Sequence, residues 1–298
     1  MKKGYLRNGF FFFMVFMLMS MGYRHDRDPD LYYELGREAR FDCVVKISNV
    51  EIEDERGSGV LINERFVLTA AHVLLIEETK DTTFVDGMLR YETYVVKGHH
   101  LDSNLLNYVV QVKGKDFKVK DVVIHPDYNF RKGRCDIALI ELLEPVDGIE
   151  FPVLNFNVDE LGKVGYLVGF GVVCPGDNYR KITSSDEKMA GMNIIDSIGG
   201  YKREGVWAEL FCDFDHPSKS KYNVLGDAGA LELEGIGLAG DSGGGLFIDT
   251  DEGLVLAGLL IGEGNTGDKI QNKVYGTVNK FSRIMAYLKW VNYVTTKD

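Results

Sequence analysis

The chain has 298 residues, of which 45% are hydrophobic and 27% charged, and its formal net charge is −11. That length and apolar content suffice for two average domains or one large all-β body, and they exclude a collagen-like or wholly disordered chain. The acidic balance argues against general binding to nucleic acid or an anionic membrane, and four cysteines with no C-x2-C pair argue against a structural zinc site.

In chain order, Lys2, Lys3 and Arg7 come first, then an apolar run from Phe10 to Met21. The run is too short for a bilayer core, which needs about 20 residues. A basic start, a short apolar stretch and small residues at Ser20 and Gly22 predict a signal peptide over residues 1–22. The alternative is an uncleaved anchor. No second long apolar run follows, so the remainder is expected to be soluble and secreted, with no membrane contact after leader removal. Residues 23–40 mix Asp and Arg and read as an extended arm.

Short apolar runs bounded by Gly, Asn, Asp or Pro follow. In the first half they are Cys43–Ile47, Gly59–Ile62, Phe66–Ala70, Tyr94–Val96, Tyr108–Val112, Val119–Ile124 and Ile137–Leu143. The second half adds Gly165–Val168, Met192–Ile195, Val206–Leu210, Gly245–Ile248, Leu254–Ile261 and Lys273–Val278. Their length and Val, Ile and Tyr content predict strands, and the lack of helices between them predicts an all-β sandwich or barrel. A soft boundary falls over residues 144–163, around Pro145, Gly148 and Pro152. At the end, Phe281, Ile284, Met285, Leu288 and Val291 recur at helical spacing and predict a helix over residues 279–292.

Three segments carry chemistry: Thr69-Ala70-Ala71-His72, Asp136-Ile137-Ala138-Leu139 and Gly240-Asp241-Ser242-Gly243-Gly244. A serine hydroxyl is a weak nucleophile until a base removes its proton. Imidazole titrates near neutrality and serves as that base, while a carboxylate fixes its tautomer. Together with GSGVLINERFVLTAAH at 57–72, VVIHPDYN at 122–129, GFG at 169–171 and VYGTV at 274–278, these segments resemble the chymotrypsin-like (trypsin-fold) serine peptidases.

The resemblance spans about residues 41–293. It implies two six-stranded antiparallel β-barrels, the first over about 41–150 and the second over about 160–278, with the cleft between them and a C-terminal helix. It implies His72 as general base, Asp136 as its orienting carboxylate and Ser242 as nucleophile. The backbone N–H groups of Gly240 and Ser242 would form the oxyanion hole, and Asp241 would pair with a freshly exposed N-terminus. The expected partner is a protein or peptide substrate, with no cofactor, no metal and no nucleic acid.

The chain also departs from the family. No Arg- or Lys-Ile-Val-Gly-Gly activation sequence occurs, so Asp241 lacks an evident N-terminal partner. Val73 follows His72, and Leu238 lies four residues before Ser242; cysteines are common at both places in the family. Cysteine number alone allows one or two disulfide bonds, and the resemblance favours Cys174–Cys212. Ile236 takes the substrate-pocket position where trypsin-like members carry Asp, so a preference for apolar or small side chains is expected. Lys273 is a weaker pocket candidate. The expected function is a serine endopeptidase; a catalytically silent homologue that binds or regulates a partner is the alternative.

Overall fold

The computed structural model describes residues 21–50, 56–74, 82–85, 88–91, 107–157, 159–226, 229–251, 253–265 and 274–296. The strand expected at Tyr94–Val96 and the pocket candidate Lys273 lie outside these residues, as do residues 1–20 of the expected leader.

The first half closes into a six-stranded barrel. Val44–Asn49, Arg56–Leu61, Phe66–Thr69, Ala138–Leu142, Lys115–Ile124 and Tyr108–Val112 are hydrogen-bonded in that order, and the last pairs back to the first. Every pairing is antiparallel. Alternate side chains point inward, so Val45, Ile47, Val110, Val112 and Ile140 fill the interior. Burying each such side chain stabilises by roughly 1.5–3 kcal/mol. The turn from Val112 to Lys115 uses Lys113 and Gly114, both at positive φ, the conformation that matches a two-residue hairpin to the strand twist.

The second half follows the same antiparallel plan with more strands. Its main sheet runs Met189–Ile194, Val164–Gly169, Gly245–Thr250, Gly253–Asn265, Thr277–Arg283, Val206–Asp213 and Ser197–Arg203, with Val153–Leu154 added in parallel beside Gly253–Asn265. Eight strands thus stand where six were expected. The sheet rolls without a closed ladder: Asp196 N–H donates to Phe211 O at 2.9 Å across the seam, and Asn193 Nδ2 donates to Asp213 O at 2.7 Å. An apolar cluster containing Val44, Leu68, Leu139, Phe247, Leu256 and Tyr287 joins the two halves.

The ends of the chain differ from expectation. A smaller sheet sets Gly22–Tyr23 between Val172–Pro175 and Gly235–Ile236. Gly22, expected in the leader, is therefore a paired strand residue. The expected arm contains a helix, Pro29–Gly36, started by Asp28, whose carboxylate accepts from Asp30 N–H, with Pro at the first helical position. Tyr32 and Leu35 bury its inner face. At the other end, residues 279–283 belong to the strand Thr277–Arg283, followed by a 3-10 turn at Ile284–Tyr287 and an α-helix at Leu288–Thr295. Asn279 and Phe281 point to the same buried face as alternate strand residues, a period of two that overrides the helical reading.

Candidate active site

The strands Phe66–Thr69 and Ala138–Leu142 are neighbours, with Thr69 opposite Ala138. His72, in the 3-10 turn Ala71–Leu74 just past the first strand, therefore meets Asp136, just before the second. Asp136 receives the His72 backbone N–H on Oδ1 at 3.0 Å and faces His72 Nδ1 with Oδ2 at 2.7 Å. The other ring nitrogen, Nε2, lies 2.8 Å from Ser242 Oγ. Asp136 is buried and the His72 ring is partly open, so the carboxylate is shielded while the histidine and serine face outward.

Ser242 comes from the second half, on the loop between Gly235–Ile236 and Gly245–Thr250. The loop is clamped to the first barrel. Ser58 N–H donates to Ser242 O at 2.8 Å, and Ser58 Oγ reaches Gly240 O at 3.3 Å. Gly243, at φ +81°, packs so tightly that an added Cβ would stand 2.2 Å from Ser58 O and Thr69 Oγ1. Only glycine satisfies both the backbone angle and that contact. The N–H groups of Gly240 and Ser242 donate to no group among the described residues. Two such free donors on one tight loop suit a developing oxyanion.

Asp241 points the other way, into the protein. Its Oδ1 accepts from Gly171 N–H at 3.0 Å and its Oδ2 from Leu238 N–H at 3.2 Å. Burial pushes its pKa up to about 7. It forms no ion pair among the described residues, and it lines a small cavity together with Met21, Leu167 and Phe281. Met21 is itself buried, directly before the strand Gly22–Tyr23.

Ile236 is fully buried in a cluster with Cys174, Phe214, Leu238, Val274 and Tyr275, so it lies within the packed wall. All four cysteines are buried and unpaired, which overturns the expected disulfide bond. Cys174 instead donates its thiol weakly to Pro175 O and Asn178 O, and burial pushes it up to about 12. Cys212, the other expected member, is held well above the ordinary thiol range by burial. As protonated, solvent-free thiols they act as small apolar core groups.

Two further residues hold the site and escaped the sequence reading. Ser58 is one; its signal was the Gly57-x-Gly59 pair inside a strand, which marks close backbone approach. Asn279 is the other. Its amide accepts from Gly237 N–H and donates to Gly237 O, both at 2.7 Å, five residues before Ser242. As a metal-competent group, His125, Asp127 and Cys135 bring donor atoms within 4.8 Å of one another. Arg203 already lies on two of them, 2.9 Å from Asp127 Oδ2 and 3.8 Å from Cys135 Sγ.

Comparison with known proteins agrees with this architecture. A trypsin family model matches residues 36–181, a span that includes His72 and Asp136. The CLIP domain-containing serine protease B9 of Anopheles gambiae is 26% identical over 156 residues, covering 46% of this chain and 37% of that protein. The venom peptide isomerase heavy chain of Agelenopsis aperta is 23% identical over 265 residues, 84% of this chain and 97% of that one. A trypsin of Phaedon cochleariae is 25% identical over 249 residues, 80% and 78% of the two chains. This match, the similar serine proteases and the closed six-stranded barrel together support a chymotrypsin-like, trypsin-fold peptidase family for this chain.

Proposed function

We propose that the protein is a secreted serine endopeptidase that hydrolyses peptide bonds through an acyl-enzyme. The observation that carries this reading is the continuous chain of contacts from Asp136 through His72 to Ser242, at 2.7 and 2.8 Å. Nε2 takes the Ser242 proton as Oγ attacks the carbonyl carbon, and the oxyanion forms against the N–H groups of Gly240 and Ser242. His72, now cationic beside Asp136, returns the proton to the departing amine. Water, deprotonated by the same ring, then releases the acyl group. The preference proposed is for apolar or small side chains, because Ile236, an apolar residue within the packed wall, stands where trypsin-like members carry Asp.

The leader is proposed to end before Met21. A cut after Gly22 would remove a residue that pairs on both sides in the small sheet. A cut after Ser20 would leave a new ammonium on Met21, a residue that lines the same cavity as Asp241. That charge would supply the N-terminal partner that the family resemblance assigns to Asp241.

A fluorophosphonate probe tests the reaction. Secreted, folded protein should be labelled, and Ser242→Ala should not. Failure of the folded wild type to react would favour the silent binding homologue instead. Amino-terminal sequencing of secreted material tests the boundary: a first residue other than Met21 would refute it.

A further inference from the structure

A pocket of about 260 Å³ opens on the wall behind Asp136, where Cys135, the preceding residue, forms part of its lining. Around it stand Lys132, Arg134, Lys202 and Arg203, against one carboxylate, Asp127. In a chain of net charge −11, four cations at one pocket form a local field opposite in sign to the whole. Lys132, Arg134 and Lys202 make no ion pair among the described residues; Arg203 alone is paired, to Asp127. Three of the four are positioned by aromatic faces: Arg134 lies 5.1 Å over Tyr201, Lys202 5.0 Å over Trp207 and Arg203 5.6 Å over Tyr287.

The charge decides what the pocket takes. A metal ion on His125, Asp127 and Cys135 would have to displace Arg203 and sit among the remaining cations. An anion meets one carboxylate, Asp127, already paired with Arg203, and gains from each of the three unpaired cations. The pocket is also tied to the reaction site. Tyr201 Oη accepts from Cys135 N–H at 2.5 Å and shares a hydrogen bond with Tyr287 Oη at 2.5 Å. A chain seated here lies against the backbone that carries Asp136.

We propose that this pocket docks an acidic, Asp- or Glu-rich segment of the polypeptide substrate, with its carboxylates on Lys132, Arg134 and Lys202. The word substrate rests on the peptidase reading; the docking does not. The affinity is electrostatic and therefore falls with salt, because the screening length is only about 10 Å at 0.1 M ionic strength.

The experiment uses the processed chain with Ser242→Ala and a fluorescein-labelled hexaglutamate peptide, followed by fluorescence anisotropy. Saturable binding is expected, weakened at least tenfold by Lys132→Glu with Lys202→Glu. The same number of reversals at Lys115→Glu and Lys118→Glu should leave binding within about twofold. Those lysines lie in the first part of the strand Lys115–Ile124, roughly 20–30 Å from its far end by strand rise. All four side chains are exposed, so the variants should fold, with circular dichroism as the check. Absence of binding, or equal loss in both double variants, would overturn the proposal, as would full binding by the pocket variant. Fluorophosphonate labelling of the Ser242 protein separates the two readings: peptide binding without labelling would sink the peptidase and leave the docking site standing.

Discussion

The two halves of the molecule hold their parts of the site by different physics. The first barrel is a closed ladder around an apolar interior, and it presents His72 and Asp136 from adjacent strand ends. The second half rolls without closing and buries many polar groups, among them Glu160, Asn193, Asp213, Asp215, Glu234, Asp241, Asn279 and Arg283. It presents Ser242 on a loop held by two of those groups, Asp241 and Asn279, and by Ser58 from the first barrel. The barrel that presents His72 and Asp136 thus rests on directionless packing, and the loop that presents Ser242 on directional hydrogen bonds. The second kind of support depends more on pH and on each single partner.

The largest expected effect tests whether the halves act as one unit. Ser242→Ala and His72→Ala should each lower kcat on a denatured-protein substrate by about 10⁶, and the double variant should be no worse. Additive losses would mean that the two residues do not share a proton in the reaction.

Next comes stability. Arg283 and Glu160 form a two-pronged buried pair, Nε–Oε1 at 2.9 Å and Nη2–Oε2 at 2.7 Å, with Asn155 also donating to Glu160. Glu160→Ala strands a buried guanidinium and should cost about 3–5 kcal/mol by urea unfolding. In the first barrel, Ile47→Val removes one buried methyl group and should cost about 0.5–1.5 kcal/mol. If the two losses were equal, the contrast between the halves would fail.

The pH dependence sharpens the same contrast. Burial raises Asp196 and Asp215 to about 7, and Glu234 to about 9. A carboxyl raised on folding holds its proton more tightly in the folded state. Its contribution is full below the ordinary carboxylate range, near ~4, and is lost as pH climbs through the folded value. Asp26 runs the other way: the Arg24 hydrogen bond lowers it to about 2, so its contribution is full above the ordinary range and is lost as pH falls. The urea midpoint should therefore decline as pH rises from about 5 to about 9. Asp215→Asn with Glu234→Gln should flatten that decline, and an unchanged slope in the double variant would remove these carboxylates as its source.

Legibility in the sequence divides along the same line. Tyr108–Val112 has the bounds its short apolar run predicts, because β-branched and aromatic side chains suit a pleated strand with one face in a barrel core. The histidine, aspartate and serine were legible because each sits in a short, chemically constrained segment. The polar supports were not. Ser58 meets Phe170 N–H, 112 residues away, and Asn279 meets Gly237, 42 residues away; no local pattern encodes such pairings. Phe281 misled because one apolar position fits a period of 2 as well as 3.6. The cysteines misled because a family habit said nothing about whether these four sulfurs would meet.

The smallest effect concerns the segment read as an arm. Asp28-Pro29 is a helix-start signal whose force was hidden by the surrounding charges. Asp28 accepts from Asp30 N–H at 3.0 Å, and the helix it starts seats Tyr32 in the second half. Tyr32 Oη in turn accepts from Arg24 N–H at 3.1 Å and donates to Glu234 O at 2.9 Å. The cap therefore helps to hold the strand Gly22–Tyr23 against the wall that carries Ile236. Asp28→Ala should cost about 1 kcal/mol, while Asp28→Ser, which keeps a capping oxygen, should cost much less. Both variants keep the first barrel intact, so amide exchange should speed up around residues 22–36 and stay unchanged in Val44–Asn49. Faster exchange in both places would mean that the helix supports the whole molecule and not the second half alone.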